Sequence, residues 1–380
     1  MNDERGHGSP KVILIFAPGI DPGGVATVLC YFIRLLESSQ YCVRVMVPYR
    51  VDIEKAAIPK KYIVGYCRKQ PIRIGVLQRI VNLFSLLTAY RYYFVGIKKI
   101  PHDLCIVYSA QNNGQWIRYT NKPIIGWFHG IAGATREKAC VSWQEERRTS
   151  LMEAFYRQFK ALVAITNEVA ESYIQRYRID KPKVVQNLLD IDGIIEKSDV
   201  PMDKTLLGDK KLLYCGRMSH DKGLDRLIAA LGRIKKNDIS GWHLTILGDG
   251  PERVINERLV KDLGLNENVT FVGMVENPYP FMRKSDLLIC PSRSEGLGLV
   301  LWESLVCQTP VLATDSGGTR SALRNGAWGR LVANDDESLY QGIVAWLDGN
   351  NYEPDCGFEA VNKSLRQMNE QIKRDILELL

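Results

Sequence analysis

The chain has 380 residues, of which 46% are hydrophobic and 24% are charged; this composition is typical of globular domains and excludes a disordered or fibrous protein. The length exceeds what one hydrophobic core usually serves, so it predicts two domains. No run of about 18 apolar residues occurs, which argues against a membrane-spanning helix.

The formal charge of +7 is distributed unevenly along the chain. Residues 1–190 carry 27 Lys and Arg against 15 Asp and Glu, whereas residues 191–380 carry 23 against 28. No acidic residue occurs between Ala56 and His102. We therefore expect the first half to be attracted to an anionic partner.

Nine cysteines are scattered without a CxxC pair or another metal-ligand spacing. The first ten residues are polar and lack the apolar core of a signal peptide. Both features are typical of a cytoplasmic protein with reduced thiols.

The N-terminal half begins with a strand, a glycine turn, a helix and a strand, the order of a doubly wound α/β domain. The first strand is predicted at 12–16, the helix opens at Gly23 and Gly24, and the second strand is predicted at 43–47. Three more strands are predicted at 104–108, 124–128 and 161–165.

The same rhythm restarts after a polar stretch, with a strand at 212–215 and a helix from Gly223 whose apolar residues are spaced three and four apart. Further strands are predicted at 243–247, 269–272, 287–289 and 311–313, and further helices at 251–263, 299–307 and 338–347. The predicted domains are 1–190 and 207–357, followed by a helix at 358–380 for which we consider packing back across the domain junction.

Two glutamates, Glu295 and Glu303, flank a glycine turn that leads from a strand into a helix. Gly296 and Gly298 permit a tight turn, and the free amides of a helix N-terminus attract phosphate oxygens. Glu303 lies about one turn inside the helix among apolar residues, where a carboxylate needs a polar partner such as a ribose diol. The alternative is that Glu303 only complements the helix dipole.

Arg217 and Lys222 lie between the strand at 212–215 and the next helix, where an open parallel sheet binds ligands. Two cations there suit a diphosphate leaving group, whose negative charge grows as its bond to a sugar breaks. The alternative is a solvated basic turn, and the position favours the diphosphate.

Eight motifs follow in order between residues 212 and 332, and together they resemble glycosyltransferase family 4, the retaining GT-B enzymes with an E-x7-E motif. The motifs are Gly216-Arg217…Lys222-Gly223, Gly248-Asp-Gly-Pro251, Phe271-Val-Gly273, Pro291-Ser292, Glu295-Gly-x-Gly298, Glu303, Thr309-Pro310-Val311 and Gly317-Gly318. The resemblance implies an α/β fold of two Rossmann-like doubly wound domains facing a central cleft. It also implies a hexosyltransferase of the bacterial polysaccharide or lipopolysaccharide type.

On the donor side, the resemblance implies that Glu303 binds the ribose and that Glu295 lies beside the hydroxyls of the transferred sugar. It implies that Arg217 and Lys222 neutralise the diphosphate. The other implied donor contacts are Gly298, the backbone amides of Leu299 and Val300, and the loop at Val275, which meets the base.

In the N-terminal half, Gly23 and Gly24 match the family's glycine loop, which faces the donor phosphates. His129 matches the histidine that faces the sugar and the acceptor. From the sequence pattern alone, a histidine just beyond an apolar strand has a structural or a catalytic role with about equal weight.

The implied reaction retains the anomeric configuration and uses no metal or other cofactor. In one mechanism the leaving phosphate helps to remove the acceptor proton, and in the other Glu295 is a nucleophile. Asp190-Ile-Asp192 has the letters of a metal-binding DxD pair, but it lies in the predicted interdomain stretch and is interpreted as structural.

The acid-free segment 68–99 carries seven basic residues among apolar and aromatic ones. This pattern predicts an amphipathic helix on an anionic membrane surface, the alternative being a helix packed on the N-terminal sheet. No recognition motif accompanies the charge, so no nucleic-acid partner is expected. We expect a peripheral protein on the inner face of the cytoplasmic membrane, with a glycolipid or oligosaccharide acceptor.

The leading hypothesis is transfer of a hexose from a UDP-sugar to a lipid-linked or polysaccharide acceptor in cell-envelope glycan synthesis, with GDP-mannose as the alternative donor. A nicotinamide-dependent dehydrogenase is a second class, but no GxGxxG follows the first strand. A catalytically silent nucleotide-sugar-binding protein is a third class. The intact acidic and basic residues of the donor motifs argue against it.

Overall fold

A computed structural model describes residues 10–17, 24–49, 58–68, 100–108, 120–132, 149–150, 152–202 and 205–380. Their contacts divide the chain into two compact units, one of residues 1–188 with 372–380 and one of residues 189–371. Gly23 and residues 69–99 of the basic segment lie outside the described residues, so the roles predicted for them stay predictions.

The first unit contains a seven-stranded parallel sheet with the strand order β3-β2-β1-β4-β5-β6-β7. The strands are Val12–Phe16 (β1), Cys42–Tyr49 (β2), Ile63–Arg68 (β3), Leu104–Tyr108 (β4), Ile124–Phe128 (β5), Ala161–Ala164 (β6) and Lys183–Val184 (β7). Every residue of β1, β4 and β5 is buried, as expected of central strands covered on both faces.

The first unit includes helices α1 (Gly24–Ser38) and α2 (Asn167–Tyr177), and residues 152–156 are also helical. Helix α1 buries one apolar stripe, which consists of Ala26, Val28, Leu29, Phe32, Ile33 and Leu36. Helix α2 begins at Thr166, whose hydroxyl accepts a hydrogen bond from the amide of Val169 at 3.2 Å. Its cap residue, Arg178, is left-handed with φ 49°.

The second unit contains a six-stranded parallel sheet with the strand order β10-β9-β8-β11-β12-β13. The strands are Lys210–Cys215 (β8), Trp242–Leu247 (β9), Val269–Gly273 (β10), Leu287–Cys290 (β11), Val311–Thr314 (β12) and Arg330–Val332 (β13). The helices from residue 189 onward are Ile191–Ser198 (α3), Leu224–Lys236 (α4), Arg253–Asp262 (α5), Tyr279–Arg283 (α6), Leu299–Val306 (α7), Gly318–Ala322 (α8), Asp336–Leu347 (α9) and Phe358–Leu379 (α10).

Both sheets have the strand order of a doubly wound fold, and this order places their ligand sites. The order reverses between β1 and β4 in the first sheet and between β8 and β11 in the second. In such sheets ligands bind beyond the carboxyl ends of the strands on either side of this switch point. In the second sheet those ends lead into the segments of Arg217 and Glu295, which therefore emerge side by side.

The predicted fold class, two doubly wound α/β domains, is confirmed. The sequence missed β3, β7 and β13, and also α2, α3, α6 and α8. Strand β7 has two residues, β13 three, and α6 and α8 five each, which is too short for a periodic pattern. Within the described residues no helix combines the length and hydropathy needed to span a membrane.

Helix α3 occupies the stretch that was predicted to connect the domains. It gives both aspartates of Asp190-Ile-Asp192 contacts within the protein. The carboxylate of Asp190 caps this helix by accepting the amide of Gly193 at 3.2 Å. Asp192 forms a two-pronged ion pair with the guanidinium of Arg366, at 2.6 and 3.0 Å. Both carboxylates thus have partners within the protein, in line with their structural interpretation.

Candidate functional site

Glu295 and Lys222 meet at the switch point of the second sheet. Their charged groups form an ion pair with Nζ and Oε2 2.6 Å apart, and the side chains are only 13% and 26% exposed. The hydroxyl of Ser292 donates to the same carboxylate oxygen at 3.2 Å. Burial alone would lower the pKa of Lys222, but the neighbouring Glu295 carboxylate outweighs it, so this pKa is raised and the ammonium stays charged.

The close approach of the two segments depends on Gly223. This residue is left-handed, with φ 65°, and a Cβ on it would lie 2.1 Å from the carbonyl oxygen of Pro291. No larger residue fits there without moving the backbone. The short 3-10 helix His220–Lys222 ends at this glycine, and this geometry directs Lys222 towards Glu295.

Helix α7 begins at Gly298, which is also left-handed, with φ 76°. Because glycine has no side chain to cap the helix, the first amides, those of Leu299 and Val300, receive no acceptor from the cap residue. The helix N-terminus therefore presents partial positive charge close in sequence to the Glu295 turn. This is the arrangement that the sequence predicted for a phosphate.

Glu303 lies on α7 and is partly buried among apolar side chains. The hydroxyl of Tyr279 donates to its Oε1 at 3.4 Å. Burial raises the pKa of Glu303 to about 7, and the Tyr279 hydroxyl acts in the opposite direction. Among the described residues the carboxylate therefore has one donor, the Tyr279 hydroxyl, and an unusually high affinity for a proton. A second polar donor would stabilise its charged form.

The other predicted donor residues are less constrained by contacts. Arg217 follows β8 and its side chain is exposed, whereas Val275 is partly buried in the loop between β10 and α6. In the parts of the chain that the structure describes, no group of three or more His, Cys, Asp and Glu side chains is arranged to hold a metal ion.

His129 lies at the carboxyl end of β5 in the first unit. It is 9% exposed, and its ring centroid lies 4.3 Å from that of Tyr108, which ends the neighbouring strand β4. Burial lowers the pKa of His129 to about 3, so its imidazole is neutral at physiological pH. Gly24 begins helix α1.

Two contacts of the site were not predicted as contacts from the sequence. Ser292 was part of a motif but had no assigned partner, and it is the hydroxyl that donates to Glu295. Tyr279 lies 24 residues before Glu303 along the chain, and no local pattern joins them. Only the packing of α6 beside α7 reveals the second pair.

Comparison with known proteins addresses the predicted family. Residues 201–363 match the family model of glycosyl transferases group 1. The predicted resemblance to GT-B glycosyltransferases is confirmed. Assignment to family 4 and retention of configuration stay predictions.

Two relatives match slightly more than half of the chain. Over 214 residues the chain is 31% identical to N-acetylgalactosamine-N,N'-diacetylbacillosaminyl-diphospho-undecaprenol 4-alpha-N-acetylgalactosaminyltransferase of Campylobacter jejuni, covering 55% of this chain and 57% of the relative. Over 202 residues it is 30% identical to the lipopolysaccharide core biosynthesis glycosyltransferase LpsE of Rhizobium meliloti, covering 52% and 56%. The matched part thus spans little more than half the length of each relative.

Among solved structures, HepE of Anabaena in complex with UDP and glucose has the same fold. The TM-score is 0.72 at 19% sequence identity, and the alignment covers 97% of this chain and 100% of HepE. At this identity the likeness establishes the fold alone.

Proposed function

We propose that the protein is a glycosyltransferase that uses a nucleoside diphosphate sugar as donor. The observation that carries the proposal is the grouping of three features within the second unit. These are the partly buried Glu303, the uncapped N-terminus of α7 and the Lys222–Glu295 ion pair. A nucleoside diphosphate sugar has a ribose diol, a diphosphate and sugar hydroxyls, one partner for each feature.

In this proposal the ribose diol donates two hydrogen bonds to Glu303. A charged acceptor strengthens each bond, and these bonds stabilise the ionised carboxylate that burial disfavours. The diphosphate is held by Lys222, Arg217 and the amides of Leu299 and Val300, because these groups supply positive charge and free donors. Glu295 then accepts hydrogen bonds from the sugar hydroxyls.

For the donor base, UDP is our first choice and GDP, as in GDP-mannose, the second. HepE binds UDP with the same fold, and the Campylobacter jejuni relative is named for transfer of N-acetylgalactosamine. For the acceptor we propose a glycolipid or an oligosaccharide of the cell envelope. Both relatives are named for work on such molecules, one on an undecaprenol-linked sugar and one on the lipopolysaccharide core.

We propose a reaction that retains configuration and needs no metal. The acceptor oxygen bonds to the anomeric carbon while the bond from that carbon to the diphosphate breaks, and the acceptor proton passes to a leaving phosphate oxygen. Lys222 and Arg217 stabilise the charge that develops on the diphosphate. His129 is neutral, so it contributes hydrogen bonds rather than charge.

We further propose that the protein works at the cytoplasmic face of the membrane, held there by the basic segment 68–99. The support is the sequence of that segment, which has no acidic residue to offset its Lys and Arg. Replacing Arg73, Arg79 and Arg91 together by Gln should reduce sedimentation with anionic vesicles in low salt. Unchanged sedimentation would contradict the membrane proposal and leave the donor site untouched.

The donor proposal is tested by calorimetry of wild type and Glu303→Ala with UDP, GDP and ADP and with their sugar conjugates. Loss of two hydrogen bonds to a charged group should weaken nucleotide binding by about 100-fold. Glu337→Ala is the matched control, because it removes an exposed glutamate of the same unit that pairs with Arg233 at 2.9 Å. Equal affinity in Glu303→Ala and wild type would overturn the ribose assignment.

Product analysis on the same protein distinguishes a glycosyltransferase from a catalytically silent nucleotide-sugar-binding protein. A glycosyltransferase releases free nucleoside diphosphate when donor and acceptor are both present. Tight nucleotide binding without release of nucleoside diphosphate, across envelope glycolipid acceptors, would favour a binding protein instead.

A further inference from the structure

Arg293 lies two residues before Glu295, but its side chain takes no part in the ion pair with Lys222. Its guanidinium instead makes a two-pronged contact with Asp225, with both N–O distances 2.7 Å. A third hydrogen bond runs to the carbonyl oxygen of His220 at 2.9 Å. This arginine therefore joins the loop after β11 to the start of helix α4.

The backbone of Arg293 is held as firmly as its side chain. The amides of Arg293 and Ser294 both donate to the carbonyl oxygen of Asp221, at 2.8 and 3.2 Å. The carbonyl oxygen of Arg293 accepts from the amide group of Asn334 at 3.0 Å. Asn334 is fixed in turn by the guanidinium of Arg226, at 2.7 Å, and the Arg226 side chain is only 3% exposed.

The residues that make these contacts are close neighbours of Lys222 and Glu295 in the sequence. Asp221 and Asp225 flank Lys222, while Arg293 and Ser294 directly precede Glu295. Any shift of the loop relative to residues 221–225 would therefore change the distance between Lys222 and Glu295. The contacts fix that distance from both sides.

An isolated surface ion pair contributes little to stability, but the Arg293–Asp225 pair differs from such a pair in geometry. The two side chains are only 30% and 35% exposed, and a planar guanidinium with two parallel hydrogen bonds fixes orientation as well as distance. Burial alone would raise the pKa of Asp225, yet its hydrogen bond and proximity to Arg293 lower it below the usual range.

We propose that Arg293 is a positioning residue, which with Asp225 keeps Glu295 and Lys222 in register for the transferred sugar and the diphosphate. This inference rests on the proposed function. In the described residues Arg293 has no contact with Glu303 or the N-terminus of α7, so its loss should lower turnover more than nucleotide affinity. It was not singled out by the sequence, because its partner lies 68 residues away.

The test compares wild type, Arg293→Ala, Asp225→Ala and the double variant by steady-state transfer kinetics and by UDP calorimetry. Because small misplacements in a reacting site cost up to about 100-fold, kcat should fall roughly 10- to 100-fold in Arg293→Ala. The Kd for UDP should rise by a smaller factor than kcat falls, because Glu303 and the first amides of α7 still bind the nucleotide. The double variant should be no slower than the slower single variant, since each change breaks the same contact.

Arg366→Ala is the matched control, because it breaks an equally two-pronged contact, with Asp192, elsewhere in the same unit. It should keep wild-type kcat. Arg293→Lys keeps the positive charge but cannot make two parallel hydrogen bonds to Asp225, so its kcat should lie between those of Arg293→Ala and wild type. Wild-type kcat in Arg293→Ala, or additive losses in the double variant, would overturn the proposal.

A second readout does not depend on activity. In Arg293→Ala, amides of residues 292–296 should exchange hydrogen for deuterium faster than in wild type and in Arg366→Ala. Unchanged exchange in this segment would contradict the positioning role whether or not transfer is observed. Absence of transfer by the wild type with every donor, together with faster exchange in Arg293→Ala, would instead count against the proposed function alone.

Discussion

The two units have sheets of the same strand order, yet the carboxyl edges of those sheets differ in chemistry. The edge of the second sheet carries the Lys222–Glu295 ion pair, with Glu303 on the helix that follows. In the described part of the first sheet, the corresponding edge at β4 and β5 is aromatic and buried, with Tyr108 against His129. Among the described residues, the fold thus presents a charged edge in the second unit and an aromatic edge in the first.

The two units also differ in a titratable group near each edge, the partly buried Glu303 in the second unit and the buried His129 in the first. Burial favours the neutral form of both, raising the pKa of Glu303 to about 7 and lowering that of His129 to about 3. Glu303 consequently changes charge near physiological pH, whereas His129 stays neutral there. Any response of this protein to pH between 6 and 8 at these two positions belongs to the second unit.

The largest expected effect comes from removing the cation of the charged edge. Lys222→Ala should reduce the rate of sugar transfer about 1000-fold, because a preorganised charge on the leaving group is lost and Glu295 remains partly buried without its partner. Initial rates at saturating donor measure the loss, with circular dichroism to confirm folding.

Tyr108→Phe is the comparison at the aromatic edge. The Tyr108 hydroxyl has no hydrogen-bond partner among the described residues, so its removal should change the transfer rate only a few-fold. Similar reductions of the transfer rate in Lys222→Ala and Tyr108→Phe would show that the two sheet edges do not differ in their contribution to transfer.

A smaller effect is expected on acid stability, and it belongs to the first unit. Since the pKa of His129 is lower in the folded than in the unfolded chain, its stabilising contribution is present above pH 6.5 and is lost as the pH falls towards 3. Between pH 7 and 4.5, wild type should lose about 2–3 kcal/mol more unfolding free energy than His129→Gln. Urea unfolding at both pH values measures this difference, and equal losses would show that His129 is protonated in the folded protein.

A smaller effect than that on acid stability is expected on nucleotide binding. If the ribose needs ionised Glu303, the free protein with a pKa of about 7 is mostly incompetent at pH 6 and mostly competent at pH 8. The affinity for UDP should therefore rise about tenfold between these pH values, in proportion to the competent fraction. Calorimetry of wild type and Glu303→Gln measures it, because the amide cannot titrate. A pH-dependent affinity that survives in Glu303→Gln would assign the titration to another group.

Much of the fold follows from local pattern. The strands at 12–16, 104–108 and 124–128 were predicted with their observed bounds, because fully apolar runs between turns leave little choice of conformation. Strand β3, which ends in Arg68 at the start of the basic segment, was missed. Strand β7 was missed because two residues hold no pattern.

Local sequence pattern likewise predicted one part of the candidate site and missed another. The sequence by itself indicated which residues are candidates for the donor site, because glycine turns, a helix start and the acidic and basic side chains are local features of the loops after β8 and β11. Only the tertiary structure decided which of them touch: Lys222 with Glu295, Tyr279 with Glu303, and Arg293 with Asp225, over separations of 73, 24 and 68 residues. Such pairs are set by the order in which parallel strands lie in the sheet, and no periodicity along the chain encodes that order.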